Sequence, residues 1–195
     1  MLTLGEIFDI VVMSLAIGFI FKDSFPRPVA RKHDPIKEWK ESLSGKSDQE
    51  ALLFAILIAA PAVILHEMSH KFVALFFGIS ATFHAAYTWL LLGVFLKMLN
   101  FPFIFFIPGY VSYASEGVPL VQSALISIAG PLMNLLLFVG AWAILKYGKV
   151  KSRKWQLALY LTKSINLFLF IFNMIPIPPF DGGSFFMDVF RMFVH

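Results

Sequence analysis

Residues 51–78 read ALLFAILIAAPAVILHEMSHKFVALFFG. The run exceeds the roughly 20 apolar residues that cross a bilayer core, so it reads as a transmembrane helix. Within it lie two imidazoles and a carboxylate, His66, Glu67 and His70. Ionisable groups at that depth are costly, and they point to a functional site by default. On a helix, residues four apart share a face, so His66 and His70 can reach one metal ion with Glu67 beside them.

The rest of the chain fits a membrane setting. Of 195 residues, 58% are hydrophobic and 14% charged, against roughly 45–50% apolar in soluble domains, and the mean hydropathy is +0.77. The sequence contains no cysteine, which excludes disulfides, thiolate catalysis and Cys-based metal sites and leaves N and O ligands. The net charge of +4 is concentrated in two polar loops rather than in a basic stripe on a soluble domain, so no nucleic acid partner is expected.

Four stretches are long and apolar enough to span, at about 2–21, 51–77, 119–145 and 156–175. The first has no basic leader and no small-residue cleavage site, so it reads as an uncleaved span that carries Glu6 and Asp9. Loop 22–49 has seven basic and five acidic residues, and loop 146–154, KYGKVKSRK, has five basic residues and no acid. Residues 83–108 are apolar but broken by Lys97, Asn100, Pro102 and Pro108. If they crossed the bilayer, Asp181 would fall on the side opposite the end of the HEMSH helix. The expectation is therefore an all-α multi-pass membrane protein with about four transmembrane helices and a re-entrant segment between the second and third. Lipid tolerates such irregular backbone only where protein or a wet cavity covers it.

The HEMSH spacing fits zinc-dependent peptide hydrolysis, in which the metal activates a water and a neighbouring carboxylate moves its proton. Catalytic zinc takes three protein ligands and leaves a fourth position open. Downstream candidates for the third ligand are His84, Glu116, Asp181, Asp188 and His195. Asp181 lies in NMIPIPPFDGG (173–183), where three prolines break the last span. It is either a ligand or the cap of a helix that begins near Gly183. Residues 184–194 are too short to span and read as an interfacial helix.

Together, HEMSH on one span and NMIPIPPFDGG closing a later one resemble the site-2 protease family of intramembrane zinc metalloproteases. PGYVSYASEG (108–117) is similar to that family's G-Y-V stretch and GPLMN (130–134) to its G-P-x-x-N motif. The resemblance divides the chain into a first span and polar loop (1–50), a protease core (51–183) and a C-terminal interfacial segment (184–195). It implies Zn²⁺ held by His66, His70 and Asp181, Glu67 as base, and Asn173 at the substrate carbonyl or its oxyanion. It also implies that Gly109, Tyr110 and Val111 form an edge strand in a partly β segment and bind substrate there, with Asn134 stabilising the site. The partners it implies are transmembrane protein substrates within a lipid bilayer, the cell membrane.

The chain departs from the pattern at Ser69, where glycine is common, and shows no recognisable glycine-rich strand in 79–107. No stretch suits a PDZ-like domain. Two other readings are a metal-binding transporter and an inactive relative. Transport predicts ionisable groups spread through several spans, and neither reading gives Glu67 a task.

Overall fold

The computed structural model describes residues 2–25, 46–101, 107–114 and 116–194. Most of loop 22–49, together with Pro102 and His195, lies outside the described residues. Helix α1 (Leu4–Phe21) is followed by α2 (Lys46–Phe76), strand β1 (Ala81–Ala85), α3 (Tyr87–Met98), strand β2 (Gly109–Tyr113), α4 (Leu120–Tyr147), α5 (Arg153–Asn173) and α6 (Asp181–Val194). Among the described residues, α1, α2, α4 and α5 are long and apolar enough to cross a membrane. They match the four expected spans.

Helix α1 starts with a reciprocal cap, in which the Thr3 hydroxyl accepts from Glu6 N–H while the Glu6 carboxylate accepts from Thr3 N–H. Helix α2 runs about 46 Å through Pro61 without a break. It packs on α1 and α4, and α4 in turn packs on α5 and α6.

The two ends of the segment expected to be re-entrant, 81–86 and 107–113, lie side by side. Strands β1 and β2 form an antiparallel pair in which Phe83 faces Val111 and Ala85 faces Gly109. The sheet lies beside the start of α1, where Glu6 and Asp9 meet it. Helix α3, at 12 residues too short to span, runs from Tyr87 beside Asp9 to Lys97, which pairs with Asp23 beyond the far end of α1 at 2.9 Å. The chain then comes back to β2, and Ala86 N–H donates to Pro108 O at 3.1 Å across the mouth of the excursion.

A glycine-rich strand is unnecessary because β1, ATFHA, alternates side chains across its two faces. Ala81, Phe83 and Ala85 are buried against the helices, while Thr82 and His84 face outward. Gly109 is needed beside the Phe83 ring, since a Cβ there would lie 2.8 Å from it.

After α5 the prolines of 176–179 stop the helix and turn the chain back. Helix α6 starts at Asp181 rather than near Gly183, so the segment set apart at 184–195 continues a helix whose first residue faces the HEMSH motif. Gly182 and Gly183 permit this tuck, because a Cβ on Gly182 would lie 2.5 Å from Met174 O and one on Gly183 2.8 Å from Ile177 O.

Candidate active site

His66 and His70 project from one face of α2 at the level where α6 begins. Asp181 Oδ2 lies 3.0 Å from His66 Nε2 and 3.4 Å from His70 Nε2, and the two Nε2 atoms are 3.2 Å apart. His84, Glu116 and Asp188 are not part of this group. His84 instead bonds Ser112 Oγ at 3.0 Å on the outer face of the sheet.

The protons of both rings are placed by their other nitrogens. His70 Nδ1 lies 2.6 Å from Ile126 O, a backbone carbonyl that can only accept. His66 Nδ1 lies 2.6 Å from Asn134 Oδ1, and the amide nitrogen of Asn134 is committed to Ala62 O at 3.0 Å. Both Nδ1 atoms therefore donate, and both Nε2 atoms of the neutral rings present bare lone pairs. Asp181 Oδ2 is buried and, with both Nε2 atoms bare, finds no hydrogen-bond donor among the described residues.

Three electron-rich atoms that face one another at 3.0–3.4 Å repel unless a cation lies among them. Tetrahedral zinc with bonds of about 2.0–2.1 Å separates its ligands by roughly 3.3–3.4 Å, so the donor set fits Zn²⁺. Gly130 on α4 leaves the room, because a Cβ there would lie 2.6 Å from His66 Nε2 and closer still to His70 Nε2.

Glu67 is buried and, with His66, His70 and Asp181, lines a cavity of about 870 Å³ that also reaches Asn173 and strand β2. Asn173 Nδ2 donates to Leu169 O at 3.0 Å, which leaves its second N–H for the cavity. Asn134 is fully buried and does not line the cavity, and its side chain reaches His66 instead. The Ser69 hydroxyl turns away from the site and bonds Leu65 O one turn back at 2.7 Å, so it fits where glycine is common.

The two edges of the sheet differ. On β1, Phe83 N–H donates to Glu6 at 2.8 Å and Ala85 N–H to Asp9 at 3.2 Å, so its outer edge is occupied by carboxylates of α1. Antiparallel alternation then directs the backbone groups of Thr82 and His84 toward Ser112 and Tyr110, and those of Gly109 and Val111 away from the ladder. Gly109 and Val111 therefore turn N–H and C=O away from the ladder, along an edge beside the cavity that no other described strand pairs with, whereas the backbone of Tyr110 is used in pairing.

Sequence reasoning missed four residues here. Glu6 and Asp9 read only as blemishes in an apolar span, and Lys71 and Asn166 were passed over. A signal was present for Lys71, since a lysine buried directly after the motif requires an anion nearby.

A helix-borne HExxH motif with an aspartate beside it, on four helices long and apolar enough to cross a membrane, is a candidate site of the metalloprotease class. The chain belongs to peptidase family M50, the family of site-2 proteases, whose model matches residues 140–195. The provisionally named zinc metalloprotease MJ0611 of Methanocaldococcus jannaschii is 33% identical over 179 residues, covering 91% of this chain and 81% of that protein. Stage IV sporulation protein FB of Bacillus subtilis is 30% identical over 136 residues, covering 69% of this chain and 38% of its own length. The zinc metalloprotease MJ0392 of Methanocaldococcus jannaschii is 29% identical, and the match covers 73% of this chain and 35% of that protein. No solved structure matches the chain.

Proposed function

We propose that this chain is an intramembrane zinc endopeptidase of the cell membrane that cleaves peptide bonds within or next to the transmembrane helices of other membrane proteins. The observation that carries this reading is the convergence of His66, His70 and Asp181 at 3.0–3.4 Å beside buried Glu67, in a cavity bordered by a free strand edge. His66, His70 and Asp181 hold the ion. When bound, Zn²⁺ supplies a lowered water pKa and polarisation of the scissile carbonyl.

The chain's own residues perform the remaining steps. An unwound stretch of substrate adds to β2 through the outward N–H and C=O groups of Gly109 and Val111, which hold its peptide bond extended. Tyr110 keeps that edge in place by pairing with His84. Glu67 takes the proton of the attacking water and passes it to the leaving amine. The free N–H of Asn173 donates to the oxygen of the scissile carbonyl as charge develops there. Asn134 acts behind His66 and stabilises the site from outside the cavity. The cavity's other walls are apolar, with Ile17 and Phe21 of α1 and Ile165, Phe168 and Phe172 of α5, and suit an apolar segment arriving from lipid.

The test is to reconstitute the purified chain in lipid vesicles with a single-span reporter and to map products by mass spectrometry. Expected are about one zinc per chain and cuts in or beside the reporter's apolar segment, with both lost in Asp181→Ala. A wild type that holds zinc but cuts only soluble peptides would overturn the intramembrane reading, and one without zinc would overturn the metal centre.

A further inference from the structure

Behind the metal ligands lies a polar string of which the proposed chemistry uses only Asn134. Asn166 on α5 is fully buried. Its Nδ2 donates to Thr162 O at 2.8 Å, and its Oδ1 accepts from Asn134 Nδ2 at 2.9 Å. Asn134 on α4 gives a second hydrogen to Ala62 O at 3.0 Å, and its Oδ1 faces His66 Nδ1 at 2.6 Å. Three spanning helices are thus joined at the level of the metal ligands.

The direction of this string is fixed by groups that have only one option. Thr162 O and Ala62 O are backbone carbonyls and can only accept, so the side-chain nitrogens of both asparagines must face them. It follows that Asn166 presents its oxygen to Asn134, and Asn134 presents its oxygen to His66. His66 Nδ1 must then carry the hydrogen, which leaves Nε2 bare toward Asp181. Without Asn166, the Asn134 nitrogen would keep only its bond to Ala62 O, and its second N–H would be buried without that acceptor. With Asn166, both N–H groups are bonded while the oxygen faces His66, and the plane of the amide is fixed.

On the metal-centre reading above, we propose that Asn166 is a positioning residue for the metal. It acts through Asn134 to hold the His66 ring in the tautomer and orientation that bind the ion. Partners one step behind a ligand, as Asn134 is, typically change metal affinity by 10–100-fold when removed, and Asn166, one step further out, is expected at the low end of that range. Asn166 touches neither the metal group nor the cavity.

The experiment measures zinc affinity alone, by competition with a chromogenic chelator, on purified full-length protein. Asn166→Leu should bind zinc about tenfold more weakly than the wild type. Asn166→Thr serves equally if the leucine variant is not recovered, since its hydroxyl can still bond Thr162 O but is too short to reach Asn134. Asn166→Asp in its acid form has the same donor and acceptor as the amide and should bind within about threefold of the wild type, a smaller loss than a removed outer partner gives. If the effect passes through Asn134, the Asn134→Leu/Asn166→Leu double variant should bind zinc no more weakly than Asn134→Leu alone.

Wild-type affinity in Asn166→Leu or Asn166→Thr would overturn the proposal, as would losses that simply add in the double variant. An aspartate variant as weak as the leucine variant would also count against it. A wild type that binds no zinc would instead remove the metal centre itself, which separates the two failures.

Discussion

Lys71, the residue directly after the second histidine of the motif, is buried against Glu6 in the first turn of α1. The same Glu6 oxygen also accepts from Phe83 N–H on β1 at 2.8 Å. One carboxylate therefore ties α1 to the HEMSH-bearing helix and to β1, the strand paired with β2. Its partner oxygen is engaged by Thr3 N–H at 2.8 Å, so little of its hydrogen-bonding capacity is unused.

Removing one member of a buried pair leaves an uncompensated charge, at a cost of about 3–5 kcal/mol. Lys71→Met should destabilise the chain on that scale, measured as denaturant or thermal unfolding in detergent. Glu6→Gln keeps an acceptor for Phe83 N–H, so combining it with Lys71→Met should recover most of the loss. A double variant as unstable as Lys71→Met alone would show that the pair is not coupled as described.

Gly130 gives a prediction that concerns the metal rather than stability. A methyl group there would sit 2.6 Å from His66 Nε2 and 2.7 Å from His66 Cε1. Both rings would have to turn, and neither can do so while keeping its Nδ1 bond to Asn134 or to Ile126. Gly130→Ala should therefore lower zinc affinity by at least about tenfold with the helices intact by circular dichroism. Wild-type affinity in this variant would mean that the ligands have more room than the structure gives them.

The spans were legible because about 20 apolar residues in a row have few other uses. HEMSH was legible because a four-residue spacing brings two ring nitrogens together on any helix. Asp181 could be weighed but not fixed from the residues, since a cap and a ligand use the same side chain. What places it is the tuck allowed by Gly182 and Gly183 against the 174–177 carbonyls, a contact that no local pattern encodes. Strand β1 was hidden because ATFHA is too short for a clear period and lacks the expected glycines. Asn166 was hidden for a different reason, since an asparagine within a span gains meaning only from its partner on α4.

Glu67 carries the proton transfers in the proposed mechanism but is not part of the metal group. Glu67→Gln preserves the size of the side chain and removes its basicity. Hydrolysis should fall by about 10²–10⁴-fold, the usual contribution of a positioned general base, while zinc content stays at the wild-type level. Cleavage of a single-span reporter, followed by mass spectrometry next to a zinc assay on the same preparation, checks both halves. Retained cleavage would take the base role away from Glu67, and lost zinc would make it a ligand.

Val111 tests the free edge of β2. Its N–H points away from the β1 ladder, because the opposing Phe83 N–H is itself turned away toward Glu6. Val111→Pro removes that outward donor without breaking an existing inter-strand bond, whereas Val111→Ala only trims a half-buried side chain. If substrate adds to this edge as a strand, the proline variant should lose about 5- to 150-fold in kcat/KM relative to the alanine variant, since a hydrogen bond lost from a water-excluded site costs about 1–3 kcal/mol. Zinc content should be equal in the two. Tyr110→Pro is the contrasting case: its N–H faces His84 within the ladder, so proline there should disrupt the sheet itself and appear as lost stability. Equal cleavage by Val111→Pro and Val111→Ala would mean that substrate reaches the metal without pairing to β2.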